Sequence, residues 1–423
     1  MVKKILNFLI YITIFSLPFY IVKTTIFRIP VTLLEILVLV TFGVWVTNIF
    51  KERAFGQLKR CFNWPIVALL LMFLFAGLLS VFVSSDRIAA LGVFKAYIIE
   101  PILFFVVVID TVYEKKQKDG IFYSLVTSGI FVSLIALSQK ITGTNVYAPH
   151  EILQGRVTGV FNSANSLSLF LGPIICLVFA KVFFMVKKSR QEKVGLDIHR
   201  QIFWLSVVLV LYLIVIYLTQ SLGGMLGIIV AVTVMLGIQS SKFKIQNWEK
   251  KDVFFGVVWY FVVQLVFFMF VSNWTPKLEE RPLTRVYDNT FTIRLCLWEG
   301  TTNMLRDNFV LGAGLSSFPQ KYEGYVTCDP ELLQYPHNLI LNFWSEMGIF
   351  GLISFLGLII VYLNNSLKGN NLTGWQVGLL GILIYYLVHG LVDVPYFKND
   401  LSMMWLLFLA MTIVQSSSDS PEL

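Results

Sequence analysis

Apolar runs of about 18 or more residues recur along nearly the whole chain, and no other feature restricts its fold as strongly. Wound as an α-helix, a run of that length crosses a hydrocarbon layer about 30 Å thick. Twelve runs can be placed, at about 5–22, 29–50, 64–83, 93–110, 121–138, 166–186, 203–219, 222–238, 253–272, 338–362, 376–394 and 400–415. Backbone amides in lipid must be satisfied within the segment, and no stretch alternates as barrel strands do, so each run reads as a helix. The expected fold class is all-α: a polytopic membrane bundle of about 12 helices. Only 14% of the 423 residues are charged and 57% are hydrophobic. Soluble domains carry roughly a quarter charged residues, so a soluble enzyme is excluded.

The distribution of Lys and Arg orients the bundle. With the N-terminus in the cytoplasm, about 19 of them fall in inner connections, among them Lys3, Lys4, Lys115, Lys116, Lys118, Lys187, Lys188, Arg190 and Lys368, against about six in the short outer loops. This arrangement predicts a cytoplasmic-membrane protein with both termini inside. The net charge of +8 is then explained by anchors facing anionic lipid, without nucleic acid. The first run follows Lys3-Lys4 but contains Pro18 and lacks a small-x-small cleavage site, so it reads as a retained helix. The chain 1–423 reads as a single membrane domain with two notable outer loops, 139–165 and 273–337, and a short polar tail, 416–423. Of four cysteines, Cys296 and Cys328 both fall in the large outer loop, where a disulfide can form; unpaired cysteines are the simpler expectation.

These loops hold the chemistry. In the first, Gly155 and Gly159 flank Arg156 and Thr158, and Asn162 and Asn165 follow at the start of the next helix, either as caps or lining its outer mouth. In the second, TIRLCLWEGTTNML has helical character, Gly312 and Gly314 supply a tight turn, and a short helix is expected over Ser317 to Tyr325. Its aromatic residues, Trp298, Phe309, Phe318, Tyr322 and Tyr325, suggest a lid on the membrane surface, although ordinary packing explains most of them too. After Pro336-His337, the residues Asn338, Asn342, Ser345 and Glu346 recur at helical spacing and form a polar stripe reaching roughly 12 Å into the membrane. His389 and Asp393 lie one turn apart at the outer end of the next run, as a structural pair or a catalytic one.

An enzyme on the outer side has no nucleotide sugars to draw on, so its activated donor must already be in the membrane. A polyprenyl-diphosphate-linked glycan is such a donor, and arginines recognise diphosphate bidentately. Arg156 and Arg294 are the best placed, ahead of Arg281, Arg285 and Arg306. The acceptor hydroxyl needs a base, and His337, where the lid returns to the polar stripe, is the choice. No outer-loop Asp pair or His/Cys cluster has metal-ligand spacing, so neither metal nor other cofactor is expected.

The blocks GRVTGVFNSANSLSLF, TIRLCLWEG…NFVLGAGLSSF, PHNLILNFWSEMGIFGL and VHGLVDVPYFKNDLSMMWLL resemble the O-antigen ligase and polymerase-type superfamily of membrane glycosyltransferases. The resemblance implies about twelve helices and metal-independent, inverting transfer of a glycan from undecaprenyl diphosphate to a hydroxyl acceptor: a glycolipid, a growing glycan or a protein. It also implies that His337 is the base and Arg294 a diphosphate contact. From their own positions and spacing, Asn165, Asn338, Asn342, Glu346, His389 and Asp393 are expected as supporting polar lining. Members commonly carry an arginine after Thr-x-Ser before the eighth helix, where this chain has Leu222. Either Arg156 takes over that contact or the donor sits differently. A rival class is a multi-helix transporter or lipid-linked glycan flippase, for which Glu35, Lys95 and Glu100 are the scattered intramembrane charges.

Overall fold

A computed structural model describes residues 2–26, 29–52, 64–239, 290–326, 333–369 and 371–417. The expected run at 253–272, together with Arg281, Arg285, Cys61 and Cys328, lies outside the described residues. The other eleven runs coincide with helices, and among the described residues eight helices are long and apolar enough to cross a membrane. The protein is an all-α polytopic membrane bundle, with one small antiparallel ribbon, β1 (Lys23–Ile26) and β2 (Ile29–Thr32).

In chain order the long helices are α1 (Val2–Phe15), α2 (Leu33–Glu52), α3 (Trp64–Val83), α4 (Arg87–Thr111) and α5 (Lys115–Thr142). A short helix, α6 (Pro149–Leu153), precedes α7 (Ala164–Gln191), α8 (Leu196–Thr219) and α9 (Leu222–Gln239). The lid contributes α10 (Thr290–Asp307) and α11 (Phe318–Tyr322), and the chain closes with α12 (Leu339–Ser366), α13 (Gly374–His389) and α14 (Asn399–Ser417).

The core is built around α7 and α14. Helix α7 packs against α8, α9 and α13, and α14 against α4 and α12. In lipid, apolar burial gives little drive for helix association, so close backbone approach and interhelical hydrogen bonds matter more. Gly172 of α7 sits directly under the Tyr385 ring, where an added Cβ would come within 2.0 Å. The Tyr385 hydroxyl donates to the Ser168 carbonyl at 2.7 Å. Gly223 and Gly224 likewise let α9 close on His389 and Ser168.

The lid is attached by a break in α12. Gly348 has left-handed φ (64°) inside that helix, which ends the regular ladder there. The Ser345 carbonyl instead accepts from Ala313 N (2.6 Å) and Gly314 N (3.2 Å), while Ile349 N donates to the Val310 carbonyl (3.0 Å). Gly312 and Gly314 have φ of 67° and 88°, as the expected turn requires. A Cβ on Gly312 would fall 2.3 Å from the Trp344 carbonyl oxygen, leaving glycine as the residue that fits. The Ser317 hydroxyl pins the other side to the α3–α4 turn, 2.7 Å from Ser84 Oγ, and accepts from Ser85 N at 3.0 Å.

The lid has its own small core of Leu297, Trp298, Met304, Leu305, Ala313, Phe318 and Tyr322, seated on Leu341 of α12. Three of the five aromatics expected on the membrane surface are therefore packing residues, while Phe309 is exposed and meets the Trp344 ring edge-on. Cys296 is disulfide-bonded, which corrects the expectation of unpaired thiols.

Candidate functional site

The first loop folds around Arg156. Helix α5 ends in a left-handed Gly143, and Gln139 bridges back to accept from Thr158 N (3.0 Å) and Gly159 N (2.9 Å). Helix α6 then presents Glu151, which pairs with Arg156 Nη1 at 2.9 Å and accepts from Ala164 N at 3.1 Å. Arg156 Nε donates to the Thr219 carbonyl (2.9 Å) and Nη2 to Asn165 Oδ1 (3.1 Å). Two of its five N–H donors are thus committed, and the ion pair with Glu151 adds a third tie to the planar fork. Ser163 caps α7 by accepting from Ser166 N, so the asparagines are not its caps. Asn165 instead orients Arg156.

The contact with Thr219 places Arg156 at the turn before α9, where the Leu222 side chain is exposed. Gln220 in that turn has left-handed φ (53°).

His337 stands where the lid meets α12. Trp298 Nε1 donates to the Pro336 carbonyl (2.9 Å), and Leu339 N donates to the Gly390 carbonyl (2.8 Å). Asn338 is the N-cap of α12, accepting from Ile340 N and Leu341 N, and its Nδ2 donates to the Leu391 carbonyl at 2.9 Å. Between these ties His337 adopts φ of 46°. Among the described residues the non-glycine residues with positive φ are Gln220, Ser316 and His337, of which Gln220 adjoins the Thr219 contact of Arg156 and His337 faces Asp393. Such strain tends to collect at functional positions because the surroundings over-determine the backbone.

The imidazole Nδ1 lies 3.4 Å from Asp393 Oδ1. That spacing pairs them electrostatically but is long for a formed hydrogen bond, a common condition in sites without substrate. The expected His389–Asp393 side-chain pair is not the one that forms. As the last residue of α13, His389 points back along its helix and its Nδ1 meets the Tyr385 hydroxyl at 2.8 Å. Asp393, in the following turn, faces His337. Burial alone would raise the Asp393 carboxyl; the contact with His337 and the proximity of His389 and Lys398 outweigh it and hold the group well below the usual carboxylate range.

Arg294, in the first turns of α10, is half-buried and has no hydrogen-bond or ion-pair partner among the described residues. Burial lowers its pKa, while Asp393, Tyr335 and Arg156 lie close enough to act on its charge. The structure therefore gathers Arg156, Arg294, His337 and Asp393 at one end of the bundle. Asn342 lies one turn below Asn338 with both amide atoms buried and unpartnered. Glu346 serves a different contact: its Oε2 accepts from Ser316 N (2.7 Å) and holds the glycine turn. Arg306 is exposed and bonded to Asn303.

Four residues at this end escaped the sequence reading. Glu151 clamps Arg156, and the Tyr335 ring lies 4.5 Å from the His337 ring. Lys398 donates to Ser166 Oγ, and Asp400 is buried with both oxygens unpartnered. All four stand within stretches rich in ordinary loop residues, and only the Lys-Asn-Asp cluster opening α14 carried a charge signal.

The intramembrane charges expected of a transporter are placed modestly. Lys95 pairs with Glu35 at 3.1 Å, and Glu35 also accepts from Thr32 N at the ribbon–helix junction. Glu100 is buried with Oε1 unpartnered.

A multi-helix membrane protein with a structured lid, carrying two arginines and a histidine–carboxylate pair beneath it, is the class this geometry defines. Residues 207–356, which include α10, the lid and His337, match the family model described as O-Antigen ligase. A protein of Rickettsia conorii provisionally named a polysaccharide ligase is 26% identical over 197 residues, covering 43% of this chain and 44% of the relative. The chain thus matches less than half the length of that relative. The expected resemblance to the O-antigen ligase type holds.

Proposed function

We propose that the protein transfers a glycan from a polyprenyl-diphosphate carrier to a hydroxyl acceptor at the outer face of the cytoplasmic membrane, with inversion and without a metal. The observation that carries this reading is Arg294: a half-buried guanidinium without a partner among the described residues, beside the His337–Asp393 pair. Burying an unpaired cation is costly, and an anionic ligand offsets that cost. Arg156 supplies the second fork from the turn at Thr219, in place of the arginine absent at Leu222.

The acceptor oxygen attacks the anomeric carbon from the face opposite the diphosphate. Its proton passes to His337, whose other nitrogen faces Asp393, and the anomeric C–O bond breaks with its electron pair leaving on undecaprenyl diphosphate. The arginines neutralise the charge that develops on the leaving oxygen. Asn165 orients Arg156, Asn338 fixes the backbone beside the base, and Asn342, Glu346 and His389 furnish or brace the polar lining.

The outward orientation of the lid is supported by the Lys/Arg distribution and by the disulfide at Cys296, since such bonds persist in oxidising compartments. The test uses purified protein, a labelled undecaprenyl-diphosphate oligosaccharide and EDTA, following release of undecaprenyl diphosphate with candidate acceptors. Release by wild type and its abolition in a folded His337→Ala variant are expected. Normal release in that variant refutes the mechanism, and movement of donor across proteoliposomes without bond cleavage favours a flippase.

A further inference from the structure

A cavity lined by both charged and apolar side chains lies at the opposite end of the bundle. Helices α5, α7, α8 and α13 each reach the Arg156–His337 end with one terminus: Thr142, Ala164, Thr219 and His389. Their other termini enclose a cavity of about 410 Å³, lined among others by Lys115, Asp119 and Phe122 of α5, by Leu177, Lys181, Phe184 and Lys188 of α7, and by the start of α13. Helix α7 has 28 residues, so its two ends lie roughly 40 Å apart at 1.5 Å per residue.

Two features distinguish this cavity from an ordinary basic helix end. First, Lys181 stands inside the apolar part of α7, ten residues before its terminus at Gln191, where a lysine is costly and marks function by default. It is held there, with Nζ 2.7 Å from Asp119 Oδ1 and 5.3 Å from the Phe122 ring centroid. Second, Lys181 and Lys188 are two turns apart on one face, a ladder of roughly 10 Å from the rim into the helix bundle. The lining titratable groups are Lys115, Lys181 and Lys188 against Asp119, with Tyr123 neutral, giving an excess of two positive charges. Glu192, 4.0 Å from Lys188, is solvent-exposed and offsets little. The walls between the charges, Phe122, Leu177 and Phe184, are apolar.

A cationic rim above apolar walls, opening where helices meet the membrane surface, matches one amphiphile. We infer that this cavity binds an anionic glycerophospholipid of the bilayer, its phosphate held by Lys115 and Lys188 and an acyl chain lying along Phe122 and Phe184. Lys181, neutralised by Asp119, sets the depth at which the headgroup stops. The site is independent of glycan transfer and shares none of its residues.

The test measures retention of phosphatidylglycerol and phosphatidylcholine on the purified full chain by native mass spectrometry. The variants are a Lys115→Gln/Lys188→Gln double, Lys181→Gln, and Lys193→Gln as an exposed control. A surface lysine contributes about 1 kcal/mol to anionic lipid binding, so losing Lys115 and Lys188 weakens phosphatidylglycerol retention roughly fivefold for each and about 25-fold for the double. Phosphatidylcholine retention and the control are expected to stay unchanged. Equal retention of the two lipids by wild type, an undiminished double variant, or an equally weakened control overturns the inference. Competition by inorganic phosphate at equal concentration does so too, since it reveals a soluble-anion site. The rim variants sit at helix ends and keep the test valid if Lys181→Gln fails to fold, which circular dichroism reports.

Discussion

Replacing Asp393 by Asn removes one charge and almost nothing else. The side chain is 3% exposed, and an amide oxygen can keep the bond that Asp393 Oδ1 accepts from Val394 N at 2.8 Å. What is lost is the field at His337. In the proposed transfer the imidazole takes a proton in the transition state and becomes a cation 3.4 Å from Asp393 Oδ1. With an effective dielectric of about 20, that attraction is about 5 kcal/mol, and with about 40, suited to a histidine partly open to water, about 2.4 kcal/mol. At 1.36 kcal/mol per factor of ten, the chemical step should slow roughly 60- to 4,000-fold. Donor affinity should hold or rise slightly, because the same carboxylate also attracts Arg294 away from an incoming anion. Single-turnover release of undecaprenyl diphosphate at saturating donor measures the chemical step, and donor titration measures affinity. A rate within threefold of wild type refutes the assignment of Asp393 as the group that supports the base. A loss confined to donor affinity would instead make it part of the binding site.

Arg294→Ala should weaken donor binding by roughly 10- to 150-fold, the value of a charge-assisted hydrogen bond of about 1.5–3 kcal/mol, and Arg294→Lys should recover only part because an ammonium cannot engage two phosphate oxygens as a fork; equilibrium binding of labelled donor tells the two apart. Gly312→Ala should detach the lid and lower its protease resistance, since the new Cβ meets backbone at 2.3 Å, whereas Gly324→Ala, with open space around it, should leave it unchanged. Cys296 should resist maleimide labelling until a reductant is added, while immediate labelling would contradict its bonding. The Asp393 carboxyl has a folded pKa below the roughly 3.9 of an exposed aspartate, so its stabilising contribution is full above about pH 5 and fades as the pH falls below that unfolded value; melting temperatures of wild type and Asp393→Asn should therefore converge in acid, and a constant gap down to pH 2 would argue against it.

Periodicity and hydrophobicity were enough to predict eleven of the described helices, because in lipid a long apolar segment has no other way to satisfy its amides. The same local reasoning located the α12 start after His337, the α10 helix and the left-handed turn at Gly312 and Gly314. It also chose Arg156, Arg294 and His337, since residue type and position between helices were visible in one dimension. Pairings were not. Asp393 lies four residues from His389 in the chain yet faces His337, 56 positions away, because α13 stops at His389 and the turn redirects the next side chains. Glu346 fell on the polar stripe by spacing but holds the lid, because the break at Gly348 brings Ser316 against it. Arg156 meets the turn at Thr219 only because α7, α8 and α9 pack with their ends together. Local sequence determines which segments are helical and which residues can carry charge, since both depend on neighbours within a turn or two. Which charges meet depends on how helix ends and broken backbones converge, and that was decided by the tertiary structure alone.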